Sequence, residues 1–134
     1  MSQPLPTATG TFGDKPELSF PDAAAPADLV VEVLERGEGA IVEAGQTIEV
    51  NFLGQVWNGS IFDNSYDRGA TIEFPIGVGV VIAGWDSGLV GQQIGSRLLI
   101  SIPPHEGYGP NGVPQAGIGG DDVLVFVVDI VGAK

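Results

Sequence analysis

His105-Glu106 is the one adjacent histidine–carboxylate pair in the chain, and an imidazole beside a carboxylate is the sort of pair that serves as a general base. No Ser, Thr or second carboxylate stands at a spacing that completes a triad, so a solvated surface pair is the expectation. Asp121-Asp122 offers two carboxylates, yet the oxygen-rich spacing of a calcium loop is absent and a loop-closing turn accounts for them. Gly77-Val78-Gly79 has part of the look of a phosphate loop but lacks both the Walker lysine and the further glycine of a dinucleotide fingerprint. With no cysteine and a single histidine, thiol nucleophiles, thiolate zinc sites and multi-histidine centres are excluded, and no metal or cofactor is expected. What remains is aromatic: Phe52, Phe62, Trp85, Tyr108 and Phe126. The ordinary reading of such a set is a hydrophobic core. Tyr108, between two glycines on a loop where packing asks for no ring, favours the other reading, an apolar pocket walled by aromatics.

Those rings need elements to hold them. Residues 29–34 are a β-branched run that stops at a turn over 36–39. Ile48, Val50, Phe52 and Val56 alternate with Glu49, Asn51 and Gln55, so a strand here buries its even-numbered face and wets the odd one, with Phe52 inward. Asn58-Gly59 is a two-residue hairpin signal, both positions taking positive φ, which returns Ile61-Phe62 beside Phe52. Further strands are predicted at 72–76, 97–102 and 123–131, the last apolar on both faces and therefore central. Ile82, Trp85 and Leu89 share one side of a helix over 81–92, where Gly84 and Gly88 lower the intrinsic propensity so that packing must hold it. The predicted architecture is α+β, an antiparallel sheet with one short helix on one face.

Length and composition agree with that plan. A chain of 134 residues carries one domain and one core, and 21 glycines with 10 prolines mark it as turn-rich. Five basic against 17 acidic residues give a net charge of −12, which repels nucleic acid and anionic membrane surfaces. No uncharged run reaches the roughly 20 residues of a membrane helix, and residues 1–28 have no secretory-signal pattern, so the default location is the cytoplasm, a mature product whose signal was removed fitting equally. Half of the prolines fall in residues 1–28, an extended N-terminal arm in which residues 18–20 are a candidate edge strand; the folded domain is placed at 29–134. Residues 107–120 form a loop with six glycines and two prolines, long enough to be functional.

Five segments carry a resemblance: 50–54 (VNFLG), 62–68 (FDNSYDR), 81–88 (VIAGWDSG), 107–110 (GYGP) and 124–126 (LVF). In this order and spacing the chain resembles the FKBP family of peptidyl-prolyl cis/trans isomerases, which bind tacrolimus and rapamycin, over about residues 29–132, with one residue added in the glycine-rich loop. The resemblance implies a five- to six-stranded antiparallel half-barrel wrapped around the helix, with the site between helix and sheet. It places Trp85 under the prolyl ring, with Phe62, Val81, Ile82 and Phe126 as walls. The Ile82 N–H and the Tyr108 hydroxyl would donate to ligand carbonyls, Asp63 would stand at the rim paired with Arg68, and Phe52, Ile72 and Ile118 would complete the substrate surface. The implied partners are proline-containing polypeptides and tacrolimus- or rapamycin-type macrolides, bound by a monomer.

Phe52 stands where the family usually has a Tyr supporting the Asp, Ile72 where a Phe is frequent, Val113 where well-known members have His, and Gly117 in place of an Ile. These changes keep the pocket apolar and reduce its area for a macrolide, so isomerase activity is expected ahead of tight drug binding. The alternative is a non-catalytic client- or macrolide-binding module on the same fold. Only residues 103–122 separate two successive strands, too few for the domain that chaperone members of the family insert there.

Overall fold

The computed structural model describes residues 5–22, 25–107, 112–113 and 117–134. Along the chain lie β1 (Thr7–Ala8), β2 (Leu18–Ser19), β3 (Val30–Glu35), β4 (Thr47–Val56), β5 (Ile61–Asn64), β6 (Ile72–Pro75), α1 (Ala83–Leu89), β7 (Arg97–Ile102), a 3-10 turn at Pro104–Glu106, and β8 (Leu124–Ala133). The main sheet has the order β3-β7-β8-β4, and the free edge of β4 is shared: β5 pairs with its residues 53–55 and β6 with 47–50. Every pairing is antiparallel, and the six-stranded sheet stays open instead of closing into a barrel. Strand β8 is central, as its two apolar faces require.

Alternation along the strands builds the core. Ile48, Val50 and Phe52 of β4, Leu98, Ile100 and Ile102 of β7, and Leu124, Phe126, Val128 and Ile130 of β8 are buried in one cluster with Trp85 and Leu89 of α1. Gly84 lets the helix come close to the sheet, because a Cβ there would lie 2.7 Å from Ile102 Cδ1. The helix is shorter than the predicted 81–92. Ile82 caps it in an extended conformation and Val90 leaves it in one, after which Gly91, at φ 92°, turns the chain so that its N–H donates to Val42 O at 2.8 Å.

Two further expectations change in detail. The hairpin after β4 forms, but as a wider loop in which Val56 N–H donates to Ser60 O and only Asn58, at φ 55°, takes positive φ. A bulge between Gly54 and Gln55 absorbs the extra length. The odd face of β4 is not simply wet: Leu53 is fully buried, as are Leu99, Val125 and Val127, all facing away from the helix.

The N-terminal arm crosses this outer face. Leu18–Ser19 is a strand, as expected, but its partner is Thr7–Ala8 and not an edge of the main sheet. The arm is fastened to Arg97 and Asp129, a pair only 1% and 0% exposed, whose guanidinium and carboxylate meet at 2.7 and 2.9 Å. Arg97 also donates to the carbonyls of Thr9 and Asp14, and Gly13 N–H donates to Asp129 Oδ2 at 2.8 Å. Phe20 of the arm meets Trp57 edge-on at 5.4 Å. Among the described residues no helix is long and apolar enough to cross a membrane.

Candidate active site

A cleft of about 480 Å³ opens between α1 and the concave side of the sheet. Phe52 comes from β4, Phe62 and Asp63 from β5, Ile72 and Phe74 from β6, and Phe126 from β8. Val80, Val81 and Ile82 descend from the segment before α1, Trp85 from the helix itself, and Val113 and Ile118 from the glycine-rich loop. The last two are joined by a reciprocal pair of backbone hydrogen bonds of 2.8 and 3.1 Å. Among the described residues, Asp63 is the only charged side chain in the lining.

The rings are packed edge to face. Trp85, 5% exposed at the base, meets Phe126 at 5.2 Å and 86° and Phe52 at 5.4 Å and 79°, while Phe62 meets Phe126 at 5.6 Å and 87°. Such contacts join the positive edge of one ring to the negative face of the next and fix the walls in shape. Gly54 makes room for them: a Cβ there would lie 2.7 Å from Phe62 Cζ and 2.8 Å from Phe126 Cε1.

Asp63 is held by Arg68, Nη1 to Oδ1 at 2.6 Å, with both side chains about half exposed. An exposed pair of this kind contributes about 1 kcal/mol at most, so its effect is orientation more than stability. The same guanidinium lies 5.9 Å from the centre of the Phe52 ring, so the ring that replaces the usual Tyr still touches the group that aims Asp63. Arg68 is itself carried on a turn with several anchors. Ser65, fully buried, exchanges hydrogen bonds with the Phe52 backbone, accepting from its N–H at 2.8 Å and donating to its carbonyl at 2.9 Å. The Tyr66 hydroxyl donates to Asp129 at 2.8 Å; burial, then the Asp129 carboxylate, push its pKa well above the ordinary tyrosine range. Lys15 Nζ lies 2.9 Å from Asp67, and hydrogen bonds from Lys15 and then Asn64 hold that carboxyl below its usual pKa.

The segment ahead of α1 is shaped by Asp86, whose two carboxylate oxygens accept from Gly77 N–H at 2.7 Å and Gly79 N–H at 3.0 Å. The glycines that look like a phosphate loop therefore spend their donors inside the protein. His105 is 67% exposed, stands 3.8 Å from Glu106 and does not line the cleft. Asp122 closes its own loop by accepting from Gly119 N–H at 2.6 Å.

Of the residues expected in the site, Phe52, Phe62, Asp63, Ile72, Val81, Ile82, Trp85, Ile118 and Phe126 share one cleft, with Arg68 at its rim; Tyr108 lies outside the described residues. Sequence reasoning passed over Phe74, Val80, Gly54, Ser65 and Asp86. Phe74 was findable, since it follows Ile72 at the strand period of two. Val80 lines the cleft from outside the helix pattern, and Gly54, Ser65 and Asp86 act through partners that no local pattern names.

Residues 39–131 match the family described as "FKBP-type peptidyl-prolyl cis-trans isomerase". The chain belongs to this family. It is 40% identical over 119 residues to an FK506-binding protein of Streptomyces anulatus, covering 88% of this chain and 96% of that one. A probable FK506-binding protein of Corynebacterium glutamicum is 39% identical over 123 residues, 90% of this chain and 99% of its own. Among solved structures, AtFKBP13 superposes with a TM-score of 0.74 at 33% identity, covering 82% of this chain and 96% of that one. FkpA from Escherichia coli gives 0.72 at 39% identity, covering 79% of this chain and 48% of the other. As an FKBP this chain is a peptidyl-prolyl cis-trans isomerase, and its open antiparallel sheet with one helix is the fold of the family.

Proposed function

We propose that the isomerase works by holding the twisted X-Pro amide in the aromatic cleft, with the prolyl ring on Trp85, the walls formed by Phe62, Phe126, Val81 and Ile82, and Asp63 beside the rotating carbonyl. Rotation about the planar amide faces a barrier of about 18–20 kcal/mol because the C–N bond has partial double-bond character. At the top of the barrier resonance is lost and the bond dipole shrinks. A cleft of low dielectric therefore binds the twisted form better than the planar one, and no proton has to move. The observation that carries this reading is the closed set of ring contacts around Trp85 with the Asp63 carboxylate oriented at the rim by Arg68.

Proline-containing polypeptides are the substrates on this reading, with the Ile82 N–H and the Tyr108 hydroxyl as donors to their carbonyls. Tacrolimus-type macrolides enter the same cleft with reduced contact, because Val113 and Ile72 in its lining are smaller than the rings the family often has there. A monomer in the cytoplasm is part of the same proposal. The test is isomerisation of a short X-Pro peptide in H2O and D2O. Acceleration with no solvent isotope effect supports desolvation; saturable binding without acceleration supports the non-catalytic module instead; a clear isotope effect means that a proton is in flight.

A further inference from the structure

Three donors converge on one buried oxygen. Asp129 Oδ2 accepts from Gly13 N–H of the arm at 2.8 Å, from the Tyr66 hydroxyl at 2.8 Å and from Arg97 Nη2 at 2.9 Å. The arm and the turn that carries Arg68 are thus tied to the same atom on the outer face of the sheet, while the cleft lies on the inner face. A second tie runs beside the first, since Lys15, two residues after Gly13, grips Asp67, which sits between Tyr66 and Arg68.

We propose that the N-terminal arm positions the active-site rim: docked on the outer face, it fixes Tyr66 and Asp67, and through them the presentation of Arg68 to Asp63. The inference rests on the cleft being the catalytic site. A turn anchored at successive residues has little freedom left. Released from Gly13 and Lys15, it keeps its Ser65 anchor, but the Asp129 carboxylate that holds Tyr66 loses one donor and Asp67 loses its cation. Arg97 loses the Thr9 and Asp14 carbonyls at the same moment, so the whole cluster must rearrange, and Tyr66 with it. A ligand or partner that lifts the arm would lower catalysis without touching the cleft. Gly13, Lys15 and Tyr66 are positioning residues on this account.

The test uses Gly13→Val in the 134-residue chain. Gly13 has φ 94°, and a Cβ added there would meet no atom within 4 Å, so valine fits in space but disfavours only the docked backbone. Release of the arm is read from Trp57 fluorescence, since Phe20 lies against that indole. The expected result is a loss of about fivefold in kcat/KM, the lower end of ordinary coupling between sites, and no further loss when Gly13→Val is added to Arg68→Gln. An arm released with kcat/KM unchanged overturns the proposal, as does the same fold-loss in both backgrounds, which would mark a general effect on stability. Lys15→Met, an exposed and milder change, should shift the NMR resonance of the Arg68 Nε–H, and an unmoved resonance also overturns it. If the parent shows no isomerase activity the catalytic reading fails, and the Arg68 resonance still decides whether arm and rim are coupled.

Discussion

At the scale of single residues, the cleft divides into rings that shape it and one carboxylate that is aimed. Phe62 is half-buried and can be truncated with less damage to the core than Phe126, so it isolates the catalytic effect. Phe62→Ala is expected to lower kcat/KM at least tenfold, a loss of about 1.4 kcal/mol of transition-state stabilisation, with a thermal melt showing the chain still folded. His105→Ala, far out in solvent, should keep near-parent kcat/KM in the same assay. Phe52→Tyr adds a hydroxyl beside Arg68 and Asp63, where a hydrogen bond contributes on the order of 1 kcal/mol. Unchanged or slightly raised Tm and activity are expected. A clear fall in both would show that the ring edge meets only apolar atoms. The inward direction of Phe52 was legible in strand alternation; the guanidinium above its face was not, because Arg68 reaches it only after the chain has turned twice.

At the scale of elements, α1 and the segment before it depend on two close fits. A glycine in a helix interior costs about 1 kcal/mol relative to alanine, so Gly84→Ala should stabilise the chain on propensity alone. The Cβ would instead sit 2.7–2.8 Å from three atoms of Ile102, and overpacking of that kind costs typically about 1–3 kcal/mol. The expected outcome is a lowered Tm. Gly88→Ala, whose Cβ would meet Ile100 and Val31 at 3.3 Å, should be closer to neutral, and equal effects from the two substitutions would contradict this account. Asp86→Ala removes the acceptor of two loop N–H groups and loosens Val80, Val81 and Ile82 over the cleft. It should raise KM more than it lowers kcat, measured over a range of peptide concentrations. The existence of this helix and its inward side were readable from Ile82, Trp85 and Leu89. Gly91 also marks its stop in the sequence, but the exact bounds were not readable, because the contact of Gly91 with Val42 lies outside the helix pattern.

At the scale of the whole molecule, the Arg97–Asp129–Tyr66 cluster joins the arm, the sheet and the site turn. Breaking a buried ion pair by removing one partner costs about 3–5 kcal/mol, so Asp129→Ala should lower stability far more than any substitution at the exposed Lys15–Asp67 pair. Tyr66 adds a pH dependence whose sign follows from its raised pKa. The phenol stays protonated in the folded state beyond its ordinary value of about 10, so its contribution is complete below about pH 10 and is lost as the pH climbs toward the folded pKa. Denaturant melts across the alkaline range should show this fall in the parent and a flatter curve in Tyr66→Phe. Absorbance at 295 nm should show Tyr66 ionising only as the chain unfolds.

Periodicity in the sequence reports where a side chain points relative to its own strand or helix, which is why Ile48, Val50, Phe52, Trp85 and Phe126 could be assigned to one inner face before any fold was known. It also made β8 central, through a run that is apolar on both faces apart from Asp129. Together with the five motif segments this determined the fold class and nearly every ring of the cleft. Tertiary structure alone decided what happens on the other face. Gly13 and Asp129 are 116 residues apart, and Arg97 and Asp129 are 32 apart; a lone charge in a strand does not say which distant charge it will meet. Leu53 sits at an odd position that alternation assigns to the wet face, yet it is fully buried on the face that the arm crosses. Burial depends on what the rest of the chain brings to a surface, and that is set by the summed packing of all the elements, a quantity no local pattern contains.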